Sequence, residues 1–251
     1  MTPDRALYLY AAATADCAVA ALSGVGNEPV ELLVSDGLCL AASDVTTADL
    51  AAVGDDAADP RLVADLAQRH DAVIRAVAGA ATAVLPFRLG VVVTDRAAAH
   101  RFLAARAAEL RSGLALVAGC DEWGVTVRDD GDPAAARDGD EPGQPESGTA
   151  YLLRRRRHFD RIEQRRRTGL ELVAATEAVL GELAAGVAPG RRDGSLLLDR
   201  AYLVRRDEQP RFVEALDRCG DRLVADGFAL RVTGPWPPYS FVSDLKVGAD
   251  E

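Results

Sequence analysis

Lysine is almost absent from this chain: of its 29 basic residues Lys246 alone is a lysine, and the rest are arginine. Against 39 acidic residues they leave a net charge of −10, so the overall field repels nucleic acid and anionic membranes. Any attraction to either has to come from a local patch. Cysteine is sparse and scattered: Cys17, Cys39, Cys120 and Cys219 form no Cys-x-x-Cys pair and have no histidine at ligand spacing. Neither a disulfide framework nor a zinc site is therefore expected, and the four read as buried free thiols of a reducing cytosol. Long apolar runs are missing too. The longest uncharged one, Ala76 to Phe87, contains Gly79, Thr82 and Pro86 and falls short of the ~18 residues of a membrane span. The opening Thr2-Pro3-Asp4-Arg5 does not lead into the apolar core of a signal peptide, so a cytoplasmic protein without membrane contact is expected.

Signatures of catalysis are equally scarce. Gly24-Val-Gly26-Asn-Glu-Pro29 lacks a third glycine and ends at a proline, which makes it a turn and not a dinucleotide site. No phosphate-binding loop or nucleophile elbow occurs. His70, His100 and His158 fall on separate predicted helices and read as core or solvent-facing side chains. Asp121 and Glu122 are neighbours on a predicted strand, where they point to opposite faces and make a poor acid/base pair. The expectation is a protein that binds without a metal or cofactor, not an enzyme.

What is present is ample apolar material. With 251 residues, 49% of them hydrophobic, the chain can organise two compact units. Strands are predicted at Ala6–Tyr10, Val30–Val34 and Leu38–Ala42, the last two flanking an Asp36-Gly37 hairpin signal. Thr46-Thr47-Ala48-Asp49 resembles a capping box before a short helix, and Pro60 opens a longer one with Leu62, Leu66, Val73 and Val77 at helical spacing. Ala83–Val93 reads as a strand interrupted by Pro86, and Asp95 as the cap of a helix running to about Arg111.

The second half restarts with a strand at Glu122–Val127, followed by an aperiodic acidic stretch. Residues 129–146 carry a net charge of −6 and read as a disordered insert. A helix of about 54 Å is predicted from Ala150 to Ala185, with Leu152, Phe159, Ile162, Leu170, Val173, Leu180 and Leu183 near one stripe and Gly169 and Gly181 as points of bending. Strand from Ser195 to Val204, helix to Ala225 and strand from Phe228 to Thr233 complete most of a ferredoxin-like layout. The fold class is thus α+β in two domains. Residues 1–118 form a mixed sheet with helices, residues 119–243 a ferredoxin-like domain with an added long helix and an insert at 129–148, and residues 244–251 a tail.

Three segments are candidates for function. In Gly234-Pro-Trp-Pro-Pro-Tyr-Ser-Phe241, Pro235, Pro237 and Pro238 restrict the backbone and remove donors, so the segment is not expected to continue a sheet. It holds Trp236, Tyr239 and Phe241 as rigid projections, suited either to locking the chain end onto its own domain or to docking a partner. Leu85-Pro86-Phe87-Arg88-Leu-Gly90 puts a proline in an apolar strand, which confines the strand to a sheet edge; such an edge is either protected by Pro86 and Arg88 or open to a partner strand. The run Arg154, Arg155, Arg156, Arg157, Arg161 and Arg165–Arg167 gives +6 over residues 154–167. This is a solvated face or a contact for an anionic protein, since Phe159 is the sole interleaved aromatic and a nucleic-acid helix would offer more. The acidic insert and this basic face are expected to pair within the chain.

Taken in order, Tyr8-Leu-Tyr10, Leu85–Gly90, Glu122-Trp-Gly-Val-Thr-Val127, Ala201-Tyr-Leu-Val204 and above all Thr233-Gly-Pro-Trp-Pro-Pro-Tyr-Ser-Phe-Val242 resemble the gas vesicle protein F/L family. The resemblance spans about Arg5 to Val242 and implies an α+β unit followed by a ferredoxin-like unit. It also implies a minor gas vesicle component or assembly factor that binds the hydrophobic major shell subunit and limits its aggregation during nucleation, with other accessory proteins as further partners. Partner contacts are then expected at Leu85, Pro86, Phe87, Arg88, Trp236, Pro237, Pro238, Tyr239 and Phe241, with electrostatic help from Arg154, Arg155, Arg157 and Arg161. The competing reading is a ferredoxin-like ligand-binding or RNA-binding protein that uses the Arg154–Arg167 helix.

Overall fold

The computed structural model describes residues 5–46, 48–50, 59–131, 148–190 and 196–242. The short helix expected after Asp49, most of the acidic insert and the tail 244–251 lie outside the described residues. The chain separates into two units, residues 1–122 with 235–251 and residues 123–234. The division thus falls at 122/123 where the sequence suggested 118/119, and the end of the chain clusters with the first unit rather than the second.

The first unit is built on strands β1 (Arg5–Thr14), β2 (Glu31–Ser35) and β3 (Leu38–Thr46), with β4 (Val84–Pro86) and β5 (Val92–Val93). The order is β2-β3-β1-β4, with β5 also on β1, and each of these pairings is antiparallel. The β2–β3 hairpin turns at Asp36 and Gly37, whose φ values of 50° and 76° are the positive pair that a tight primed turn requires.

β1 carries a bulge. Leu9 opposes Ala42 and Ala11 opposes Ala41, so Tyr10 is an extra residue, and the side-chain alternation shifts by one across it. Tyr8 and Tyr10 before the shift and Ala11 and Ala13 after it therefore share one core face. On that face lies α1 (Pro60–Ala80), opened by Asp59, which accepts from the Arg61 N–H, and by Pro60. Leu66, Val73, Ile74 and Val77 bury against the tyrosines, while Leu62 stays exposed.

Val84 joins the same cluster, so its neighbour Leu85 points the other way. There it meets α3 (Ala107–Val117) at Gly113, where a Cβ would lie 2.9 Å from Leu85 Cδ1. The single helix expected from Asp95 is two: α2 (Arg96–Ala105) and α3 break at Arg106. Arg106 donates its N–H to the Phe102 carbonyl at 3.1 Å and accepts from the Leu110 N–H at 2.9 Å, so the break sacrifices little hydrogen bonding. Ala99, Leu103, Leu110, Leu114 and Val117 keep helical spacing across it and are all buried, which leaves no trace of the break in the sequence.

The second unit contains β6 (Cys120–Asp129), α4 (Gly148–Leu183), β7 (Gly186–Pro189), β8 (Leu196–Arg205), α5 (Gln209–Ala225) and β9 (Phe228–Trp236), whose outer ends join the first unit. The sheet order β7-β8-β6-β9, with β8 lying between β7 and β6, is the ferredoxin-like arrangement. β7 supplies the strand that the sequence did not reveal: Val187 and Pro189 are exposed, it is four residues long, and it ends in proline. β9 runs through Gly234 and Pro235 to Trp236, beyond the end expected at Thr233. It is an edge strand, where a proline costs no ladder bond on the side without a neighbour.

α4 is continuous over 36 residues, ~54 Å, whereas the ten-residue strands β6 and β8 span only ~33 Å. The helix outruns its sheet. Val173, Thr176 and Leu180 are buried with Val125, Tyr202, Phe212 and Phe228, but Leu152, Phe159, Ile162 and Leu170, expected on the buried stripe, are exposed. Gly169 is explained by close approach and not by bending: a Cβ there would lie 2.9 Å from Phe228 Cε1 and 3.1 Å from Leu197 Cδ1. Gly169→Ala should therefore lower stability by ~1 kcal/mol or more, because overpacking outweighs the gain in helix propensity. Urea unfolding checks this, and an unchanged or raised midpoint would show that Phe228 yields freely.

Candidate functional site

The Leu85–Gly90 segment is tied to the first unit by a closed chain of hydrogen bonds. His70 Nε2 lies 3.1 Å from the Phe87 carbonyl, which can only accept, so Nε2 carries the proton. Nδ1 is then the acceptor for the Tyr8 hydroxyl at 3.0 Å, and the Tyr8 oxygen accepts from the Gly90 N–H at 2.9 Å. Burial pushes the His70 pKa below its ordinary value, partly opposed by the Phe87 bond, and raises that of Tyr8. The Phe87 N–H donates to the Tyr10 carbonyl at 2.8 Å, at the bulge of β1. Leu85, Pro86 and Phe87 are consequently buried, Phe87 edge-on to Phe102 at 5.7 Å, and Arg88 is exposed. Pro86 ends β4 opposite Ala11, and β4 is an edge strand as its proline required.

The aromatic segment fastens to the same unit. The Arg75 guanidinium stacks 4.5 Å from the Trp236 ring and bridges Asp71 at 2.6 Å. The other Asp71 oxygen accepts from the Tyr239 hydroxyl at 2.6 Å. Glu122 receives both donors of Ser240, the backbone N–H at 2.7 Å and the hydroxyl at 2.8 Å. Burial raises the pKa of Glu122, and the Ser240 bonds pull it back. Pro237 and Pro238 are buried, and Tyr239–Phe241 closes as a 3-10 turn against β4.

Two segments some 150 residues apart in sequence thereby meet in one unit. Beside them lies an open groove of about 620 Å³, lined by Leu85, Phe241 and Val242 with Glu109, Ser112, Gly113, Ala115 and Leu116 of α3. The hydrophobic parts of this arrangement are legible in the sequence, whereas the roles of its polar members, Tyr8, His70, Asp71, Arg75 and Glu122, are not. Asp71 and Arg75 look like an ordinary i,i+4 helix pair, and nothing local marks Glu122 as the anchor of Ser240.

The arginine run is on α4, in the second unit. Arg155, Arg157 and Arg161 are exposed, and the side chain of Arg154 lies outside the described residues. Arg165 pairs with Asp129 through Nε at 2.9 Å and also donates to the carbonyls of Asp226, Gly131 and Gly227. This charge holds the Asp129 carboxyl below the usual carboxylate range. Asp129 is the last residue of β6, so this pair ties a strand end to the helix, and the expected pairing with the rest of the acidic stretch lies outside the described residues.

The profile of the family described as "Gas vesicle synthesis protein GvpL/GvpF" matches residues 6–243. The chain belongs to that family. It is 33% identical to gas vesicle protein L of Streptomyces sp. (strain CB03234), covering 96% of this chain and 94% of that one. Gas vesicle protein F of the same strain is 30% identical over 88% and 92% of the two chains. Among solved structures, that of GvpF from Anabaena sp. PCC7120 superposes with a TM-score of 0.67 at 18% identity, covering 94% of this chain and 98% of that one. GvpF from Microcystis aeruginosa gives 0.65 with the same coverages and identity. These neighbours share the α+β fold with two sheets, and the family carries a gas vesicle-associated role. Among the described residues no helix is long and apolar enough to cross a membrane.

The His70 network predicts a pH dependence. His70 is neutral when folded and has its pKa lowered, so its contribution is complete above its unfolded value of 6.5 and is lost as the pH falls below it. Glu122, with its pKa raised above 4.5, acts in the opposite sense, losing stability as the pH rises through the folded value. The difference in unfolding free energy between wild type and His70→Gln should accordingly shrink from pH 7 to pH 5, since both retain Glu122. A difference constant over that range would contradict the assignment.

Proposed function

We propose that this protein is a gas vesicle assembly factor that binds the hydrophobic major shell subunit and limits its aggregation during nucleation, acting through shape and not by transforming a substrate. A subunit that will face a gas space exposes apolar surface or strand edges before assembly, and these need cover in water. The observation that carries the reading is the meeting of β4 with the Tyr239–Phe241 turn, where Leu85 and Phe241 line one groove against α3. Leu85 and Phe241 line the groove itself; Pro86, Phe87, Pro237 and Pro238 are buried behind their segments' surface, and Arg88 and Tyr239 are exposed. Gly113 and Ala115 keep the α3 wall low, and Leu116 is 52% exposed beside them.

Phe87 is a poor probe of this reading, because truncating a side chain so buried costs ~3–5 kcal/mol and unfolding would mask binding. Phe241→Ala and Leu116→Glu alter the groove from its exposed side. Each should weaken co-purification with the major shell subunit ~10-fold, and raise light scattering by that subunit in the presence of the variant, with little change in melting temperature. Folded variants that bind and protect the subunit as wild type does would overturn the proposal.

A further inference from the structure

The face of α4 that buries Gly169, Val173, Thr176 and Leu180 continues toward the helix N-terminus at Ile162, with Phe159 three residues and Leu152 ten residues before it, and Arg166 and Arg155 occupy the turns between. Ile162, Phe159 and Leu152 are 51%, 56% and 64% exposed, although they extend a core stripe. The cause is geometric: the helix is ~20 Å longer than the strands beneath it, so its first half projects beyond the sheet. Exposed arginines stand within this stripe, at Arg155 and Arg166, and beside it, at Arg157 and Arg161, and Arg155 lies 5.7 Å from the Phe159 ring.

We propose that this projection docks an amphipathic helix of another protein, one whose apolar face is bordered by glutamate or aspartate. The apolar stripe calls for a partner with leucine-like side chains at helical spacing, and the arginines within and beside it call for carboxylates. An arginine of the same helix already donates to a carboxylate, Arg165 to Asp129. Other occupants satisfy only half of the surface. Residues 132–147 of this chain bring acids, but alanine and proline are their only apolar residues and cannot cover Phe159 and Ile162. A second copy would bring its own arginine run against this one. A nucleic acid would meet the charge and leave the stripe in water. The site is on the second unit and is independent of the groove proposed for the shell subunit.

The test is fluorescence anisotropy of a labelled 18-residue synthetic helix, leucine on one face and glutamate on its borders, titrated with the full chain. Saturable binding is expected, weakening at least ~10-fold with Phe159→Ala/Ile162→Ala, with Arg155→Glu/Arg157→Glu, and with lysine replacing the peptide's glutamates. Because these side chains are exposed, circular dichroism melts should match wild type. Equal binding of the glutamate and lysine peptides, or no effect of either double variant, would overturn the proposal. So would tighter binding of a 12-nucleotide single-stranded RNA, dimerisation in sedimentation through Phe159 and Ile162, or peptide binding that appears only after residues 132–147 are deleted.

Discussion

A carboxylate withdrawn from water must be answered by donors, and Glu122 is answered by a residue 118 positions further along the chain. The two bonds from Ser240 fix the 3-10 turn, and in the same segment come Trp236 on Arg75 and Tyr239 on Asp71. The prolines between them limit the entropy that this ordering has to overcome. Of these three anchors the Ser240–Glu122 pair is the one next to Phe241, which lines the groove with Leu85.

A second closed set of bonds, Tyr8-His70-Phe87 with Gly90, holds the other side of that arrangement. Tyr8, His70 and Phe87 are buried and every member is satisfied, so the network specifies the path of the Leu85–Gly90 segment more tightly than apolar packing would. The bulge at Tyr10 belongs to the same design. It turns both tyrosines and the alanines that follow toward α1, and frees the Tyr10 carbonyl to accept from Phe87.

Much of this was legible in the sequence. Asp36-Gly37, Pro60, Pro86 and the ferredoxin-like order of the second half each announce a local geometry that has one physical solution. The resemblance in Thr233–Val242 led to the family, and the turn read at Gly24–Pro29 is present, closed by the Gly24 N–H on the Glu28 carbonyl. What was hidden is of two kinds. β7 and the break at Arg106 carry no pattern, because a four-residue edge strand needs no buried alternation and a helix can change direction without changing its stripe. The polar anchors were hidden because long-range hydrogen bonds leave no mark in local spacing. The α4 stripe misled for a third reason: periodicity shows that a face is apolar, but the length of the sheet decides how much of that face is covered.

Amide hydrogen exchange of Ser240 reads the fastening of the Trp236–Phe241 segment most directly. The Ser240 N–H, bound to Glu122 Oε2 at 2.7 Å, should exchange well below the free-peptide rate in wild type. It should speed up at least ~10-fold in Glu122→Ala, with the amides of α5 unchanged. Exchange at the free-peptide rate in wild type, or protection indifferent to Glu122, would contradict it.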